Sequence, residues 1–444
     1  MSTPSDEELE GSKRETTVMT ISPENVQTEG AFQFSLFADL LHGVGPGNNG
    51  HHRRRYRSEE PNGNDMNSLV EFEKWNELND DCRMEVVKYL NYNDRCKLGI
   101  CSKRDYETVK STPLDVYSVS IESYSMVTYD NLTVTVHFHN DYNPGNKIQL
   151  IFSQHGEDTL VRWLDEYLKF SNLSAYYGWE EKLSDSERKR VENGTLVLKS
   201  CNYEEEAVKF AEKWMKKCNF ELEDIKIEMN NYPMDKSQIK SLPKCKSITI
   251  GADDAETFRW WIQKLPKQME NIKLIRLTRG QEVFIPPDLL NAPQIMQTLE
   301  FDFWCRADFS DEQFLNLKAN TFEIDCVNIT DQGINEYIKK WVNGNGAPDF
   351  RRAILRITED RNFDEMTRGI EYKEFGDFNV YQSYGFCRFF FEIYEPLRCV
   401  QICSKVDPYE SITLSITSDD VAIQKTGHRK EKNGETYSEF SIPW

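Results

Sequence analysis

Six short apolar triplets recur between residues 225 and 357, and their spacing constrains the fold more than any other feature of the chain. They are Ile225-Lys-Ile227, Ile248-Thr-Ile250, Ile272-Lys-Leu274, Leu299-Glu-Phe301, Phe322-Glu-Ile324 and Leu355-Arg-Ile357. Each places two large apolar residues on one side of an extended segment. Their starts lie 23, 24, 27, 23 and 33 residues apart. Between them apolar residues return at helical spacing: 254–265 carry Phe258, Trp261, Ile262 and Leu265, and 330–343 carry Ile334, Tyr337, Ile338, Trp341 and Val342. A strand–helix unit of that size cannot bury its own apolar face, so neighbours must stack into a parallel sheet backed by helices. The pattern predicts an irregular, leucine-rich-repeat-like α/β domain. Only Ile225-Lys-Ile-Glu-Met-Asn230 carries the asparagine of a regular repeat, and a non-repeating α/β domain with a parallel sheet gives much the same pattern.

This domain is expected to run from 113 to 435. At its start, 115–121 and 132–138 alternate apolar and polar residues as half-buried strands do, and Ala207, Phe210, Ala211, Trp214, Met215 and Cys218 trace a helical stripe. The part from 386 to 424 is strand-rich (389–394, 400–402 and 412–416), and 436–444 reads as a C-terminal tail.

Residues 1–70 are polar, with glycines at 43–50 and the basic run His51–Arg57. Such a composition does not repay the entropy of ordering, so a disordered tail is expected. Phe37, Leu40, Leu41 and Val44 inside it could form a helical turn that docks on a partner.

Residues 72–112 differ from both neighbours. Leu78, Cys82, Val86 and Tyr89 recur every three or four residues beside Val87 and Leu90, which predicts an amphipathic helix begun at Asn79-Asp-Asp81. Asn91-Tyr-Asn93 reads as a turn. A second short helix carries Cys96, Leu98, Ile100 and Cys101. A third begins at Ser102, with Asp105 as a capping-box partner, and ends at Thr112-Pro113 because the residue before proline avoids the α region. Three short helices bury too little to be stable alone, so they need a partner or a neighbouring domain.

The formal charge of −20, from 54 Lys+Arg against 74 Asp+Glu, argues against nucleic acid or an anionic membrane as the main partner. Without a run of about 18 apolar residues or a secretory h-region, the expectation is an intracellular protein, cytoplasmic and/or nuclear. The 11 cysteines are irregularly spaced, which argues against a disulfide framework. Nucleophile elbows, phosphate loops and zinc helices are missing from the sequence. His137 and His139 share a strand face without a recognisable third ligand, so the expectation is no metal, no cofactor and no catalysis. Trp260 lies off the stripe of Trp261, either exposed to a partner or covered by a loop.

The stretch 75–109 resembles an F-box. Trp75, Leu78, Asp81, Val86, Leu90, Leu98, Cys101, Lys103-Arg104 and Tyr106 fall at the family's positions without a gap. Asn79 stands where the family usually has proline, and Cys82 where it has a larger aliphatic residue. Cys101-Ser-Lys-Arg-Asp-Tyr106 and Thr112-Pro-Leu-Asp-Val-Tyr117 look like the large F-box family expanded in nematodes, with an FTH-type or F-box-associated domain following. Asn335-Glu-Tyr-Ile-Lys-Lys-Trp341 with Gly344 is similar to a helix of that associated domain. The fold class is then α+β / α/β: a three-helix F-box at 71–112, then the repeat-like domain with its strand-rich end. The resemblance implies the substrate-recognition subunit of an SCF-type ubiquitin ligase. A Skp-type adaptor, holding a cullin, would dock on Trp75, Leu78, Asn79, Cys82, Val86, Leu90, Leu98, Cys101 and Tyr106, and the C-terminal domain would present a target protein. The alternative is a repeat-like interaction scaffold that never meets a ligase.

Overall fold

The computed structural model describes residues 20–21, 75–99, 101–123, 131–138, 147–163, 195–217, 221–242, 244–278, 280, 282–326, 328–356, 361–374 and 398–440. The helical-turn segment at Phe37–Val44 and the expected strand at 389–394 lie outside these residues, as do Ile100 and His139.

The elements begin with β1 (Thr20–Ile21), α1 (Asp80–Lys88), α2 (Tyr92–Gly99) and α3 (Lys103–Ser111). Strands β2 (Ser118–Ser123), β3 (Asn131–His137), β4 (Lys147–His155), β5 (Asp158–Trp163) and β6 (Thr195–Leu198) follow, then α4 (Tyr203–Lys217). The strand–helix alternation comprises β7 (Leu222–Glu228), β8 (Cys245–Gly251), α5 (Ala255–Lys264), β9 (Asn271–Ile275) and β10 (Phe284–Ile285). It continues with α6 (Pro287–Leu290), α7 (Pro293–Met296), β11 (Glu300–Ala307), α8 (Asp311–Asn316), β12 (Thr321–Asp325), α9 (Asp331–Val342) and β13 (Arg352–Arg356). The end comprises α10 (Phe363–Met366), β14 (Lys373–Glu374), β15 (Arg398–Cys403), β16 (Ser411–Ile416), β17 (Asp420–Lys432) and β18 (Glu435–Phe440).

Two compact units divide the chain. The first is Met1–Thr112, Ser125–Asn131 and Gln149–Glu206; the second is Pro113–Tyr124, Leu132–Ile148 and Ala207–Trp444. One boundary between the units falls at the end of α3, and Gln149–Glu206 groups with the first unit.

In the first unit, β4, β5 and β6 pair antiparallel in order, and Thr20–Ile21 pairs parallel with Val197–Leu198. A two-residue piece of the expected tail is therefore a strand. The β4–β5 hairpin turns at Gly156, whose φ of +62° is open to glycine without steric cost.

In the second unit, β2, β7, β8, β9, β11, β12 and β13 lie side by side and parallel. The described residues of all six triplets fall in or beside these strands, in chain order; Ile357 lies outside the described residues. Their register stacks two apolar columns: Val119, Ile225, Ile248, Ile272, Phe301, Phe322 and Ala353, and then Ile121, Ile227, Ile250, Leu274, Phe303, Ile324 and Leu355. All are buried, each large one contributing about 1.5–3 kcal/mol relative to exposure. Two triplets shift in register. Leu299 precedes β11 and is exposed, so Phe301 and Phe303 take the inward positions; on β13, Ala353 and Leu355 do so.

Helices cover this apolar face. Phe314 of α8 stacks on Tyr337 of α9 at 4.6 Å, and both rings pack against Phe322. The Asn335 side chain, buried in α9, donates to the carbonyls of Met366 (2.8 Å) and Arg368 (3.1 Å) and so fixes α10. Gly344, at φ +75°, closes α9. Trp260 is half-buried: its ring lies 5.4 Å from Tyr232 of the β7–β8 loop, with Lys264 at 5.0 Å.

Beyond β13 the sheet turns antiparallel through β17, β16, β15 and β14. The distal half of β17 pairs with β18, so residues 436–440 of the expected tail are strand. β3 differs from its half-buried expectation, and β16 is buried in the same way. Asn131–Val136 and Ser411–Ile416 are buried on both faces, with threonines such as Thr413 satisfied by Thr426 at 2.9 Å.

Candidate functional site

The three-helix module is built on good caps. Asn79 Oδ1 accepts from the Cys82 N–H at 2.8 Å, and Asp80 and Asp81 occupy the first turn of α1, where the helix dipole favours negative charge. Asn91 accepts from the Asp94 N–H and donates to its carboxylate, so Tyr92 and Asn93 start α2 and are not a turn. Ser102 Oγ accepts from the Asp105 N–H at 3.0 Å and donates to the Asp105 carboxylate at 2.6 Å, a hydroxyl–carboxylate variant of the expected capping box.

Asp105 does more than cap. It is buried, accepts from Trp75 Nε1 at 2.7 Å and pairs with the fully buried Arg83 at 3.4 Å. The Arg83 guanidinium also lies 5.0 Å from the Trp75 ring and donates to Asn76. This network ties the start of the module to α1 and α3. No periodicity announces it, because a buried arginine and aspartate 22 residues apart look in sequence like two ordinary surface charges. Arg104 adds a second tie, donating to Asp80 at 2.9 Å and to the Leu78 carbonyl at 3.3 Å.

With Arg83 and Val87 facing in, Cys82, Val86 and Tyr89 lie one position round from them and face out, and Leu78 precedes the helix cap. Cys82 is exposed, Val86 is 37% exposed and Tyr89 88%; Leu78 is half-buried. Leu90 and Leu98 are half-buried, and Asn79 and Cys101 exposed. The Cys101 thiol donates to the Lys97 carbonyl. One further candidate, Trp75, has an internal role. Half-buried Trp75 holds Asp105, and half-buried Tyr106 lies on α3 with Lys110 5.9 Å from its ring. Tyr89, the most exposed member of the stripe, is outside the candidate set although its spacing marks it.

Burial raises the Cys96 thiol to about 11, and Tyr92 beside it is raised by burial and then by Cys96. Both are neutral packing groups. Among the described residues no three His, Cys, Asp or Glu are grouped to hold a metal, and no helix is long and apolar enough to cross a membrane.

Residues 75–117 match the F-box domain family, and residues 292–352 match the family described as F-box associated. The second match spans α7 through the start of β13, including the Asn335–Trp341 helix. The two matches together make this an F-box protein carrying an F-box-associated domain. A Caenorhabditis elegans protein described as an uncharacterised F-box protein is 41% identical over 380 residues, covering 84% of this chain and 93% of the relative. The chain belongs to the F-box protein family. No solved structure matches it.

Proposed function

We propose that the chain is the substrate-recognition subunit of an SCF-type ubiquitin ligase, with the F-box docking on a Skp-type adaptor and, through it, a cullin. The outward stripe on α1 carries this reading. Leu78, Cys82, Val86 and Tyr89 present apolar surface to solvent while the module's own core is filled by Arg83, Val87 and Asp105. Leu90, Leu98 and Cys101 are further candidates for that surface, Asn79 caps the helix, Trp75 is tied to Asp105, and Tyr106 lies on α3. A helix face of this kind fits a hydrophobic groove on a partner.

The α/β domain supplies the target-binding part. Its parallel strands follow chain order, and a loop or a single helix joins β7 to β8, β8 to β9, β11 to β12 and β12 to β13, which supports the repeat-like reading there, each unit relying on the next for burial. Ubiquitin transfer then belongs to other subunits and requires no catalytic group here, and the working compartment is the cytoplasm or nucleus, where such ligases act.

The test is binding of a purified Skp-type adaptor to the full chain. Binding that buries Cys82 and Cys101 against alkylation supports the reading. Absence of binding leaves a scaffold without ligase association.

A further inference from the structure

The sheet face opposite the helices carries one large residue that packing does not account for. Trp304 on β11 points away from buried Phe303 and Cys305 and is 46% exposed. The Lys273 ammonium lies 4.3 Å from its ring centroid and the Arg356 guanidinium 5.7 Å. Lys273 is in turn held by Asp302 at 2.8 Å, and Arg356 by Glu323. Further along β11, Arg306 lies 4.8 Å over Phe284, which is 43% exposed. Both rings are thus exposed yet fixed in place, so a partner meeting them loses little side-chain freedom. Tryptophan and arginine are also the residue types that dominate binding energy at interfaces.

The charges flanking the rings indicate which partner fits. Lys226 is shared by Glu122 at 3.0 Å and Glu228 at 3.1 Å, and Arg306 lies between Glu282 at 3.7 Å and Asp308 at 3.5 Å. At Arg306 one cation serves two carboxylates, which leaves a negative remainder there. Asp420 is raised first by burial, and Glu323 and Asp419 beside it add to the rise against Arg356. The chain as a whole carries −20, which attracts cationic segments and repels acidic ones.

We infer that this open face, centred on Trp304, binds a basic, extended segment of the target protein. A Lys or Arg side chain would sit by the shared carboxylates and an apolar residue against the Trp304 ring. The inference rests on the reading of the α/β domain as the target-binding part of the ligase.

The experiment selects binders to the full chain from a library of random peptides of about nine residues. At roughly 3.3 Å each, that is enough to cross the strand spacings of about 4.8 Å from β2 to β13. Selected peptides should be rich in Lys and Arg. Trp304→Ala should weaken them about tenfold or more, and Trp304→Phe should restore much of the loss. Thermal unfolding of both variants should match the wild type. Selection of acidic peptides, selection of none, or affinities unchanged by Trp304→Ala would overturn the inference. Adaptor binding is measured on the same proteins. Its retention when the peptides fail condemns this face alone; its absence when the peptides bind condemns the ligase reading alone.

Discussion

Helix α1 and the parallel strands carry the same kind of signal in the sequence, and they bury it in opposite senses. On the strands, the periodic residues Ile248, Ile272 and Phe322 are inside at 0–1% exposure. On α1, the periodic residues Cys82, Val86 and Tyr89 are outside, and a charged residue, Arg83, takes the core position. The difference teaches that periodicity locates an apolar face but does not say what covers it. A strand has its neighbours in the same chain; among the described residues of the three-helix module nothing covers Cys82, Val86 and Tyr89.

The largest expected effect tests the side of α1 that is filled. Asp105→Ala removes the partner of a fully buried guanidinium and the acceptor of Trp75, so the three-helix module should lose about 3–5 kcal/mol. Chemical denaturation followed by hydrogen exchange in 75–111 checks this. A loss below about 1 kcal/mol would mean that Arg83 reaches solvent and that the module has no polar core.

The strands should respond nearly as strongly. Ile272→Ala, in the middle of the first apolar column, should cost about 2–5 kcal/mol, read as a lower unfolding midpoint. A near-neutral outcome would break the register drawn from β8 through β11.

Two adjacent residues sharpen the contrast most finely. Val87→Ala should cost about 1–3 kcal/mol because Val87 is fully buried. Val86→Ala should stay within about 0.5 kcal/mol. Equal costs would show that α1 is rotated from the orientation described.

The smallest effect is expected at the helix start. Asn79 has φ −69°, which proline shares, so Asn79→Pro trades a side-chain cap for a stiffer unfolded chain. Stability should change by no more than about 1 kcal/mol, measured by thermal melting, with adaptor binding kept.

Much of this architecture is legible in the sequence because it depends on local pattern. The triplets, the stripes of α5 and α9, and the caps at Asn79 and Ser102 are all short-range signals. What escapes depends on long-range partners. Leu299 looks like a strand residue, but Phe303 is placed inward by the register with Leu274 and Ile324, which lie far away in the chain. The buried faces of β3 and β16 escape because threonines read as polar until their hydroxyls find partners. At the candidate site, the outward stripe is visible as a period, while the role of Trp75 emerges only once Asp105 is placed beside it.

The central claim is that the outward stripe of α1 is an adaptor-binding surface. It is tested most directly by titrating a purified Skp-type adaptor into the full chain, as wild type and as the Leu78→Ala, Val86→Ala double variant. The account predicts measurable binding by the wild type and a loss of about 2 kcal/mol or more, roughly thirtyfold in affinity, in the double variant. The two proteins should unfold at nearly the same temperature. A wild type that fails to bind at about 50 micromolar adaptor, or a folded double variant that binds as tightly as the wild type, would contradict it.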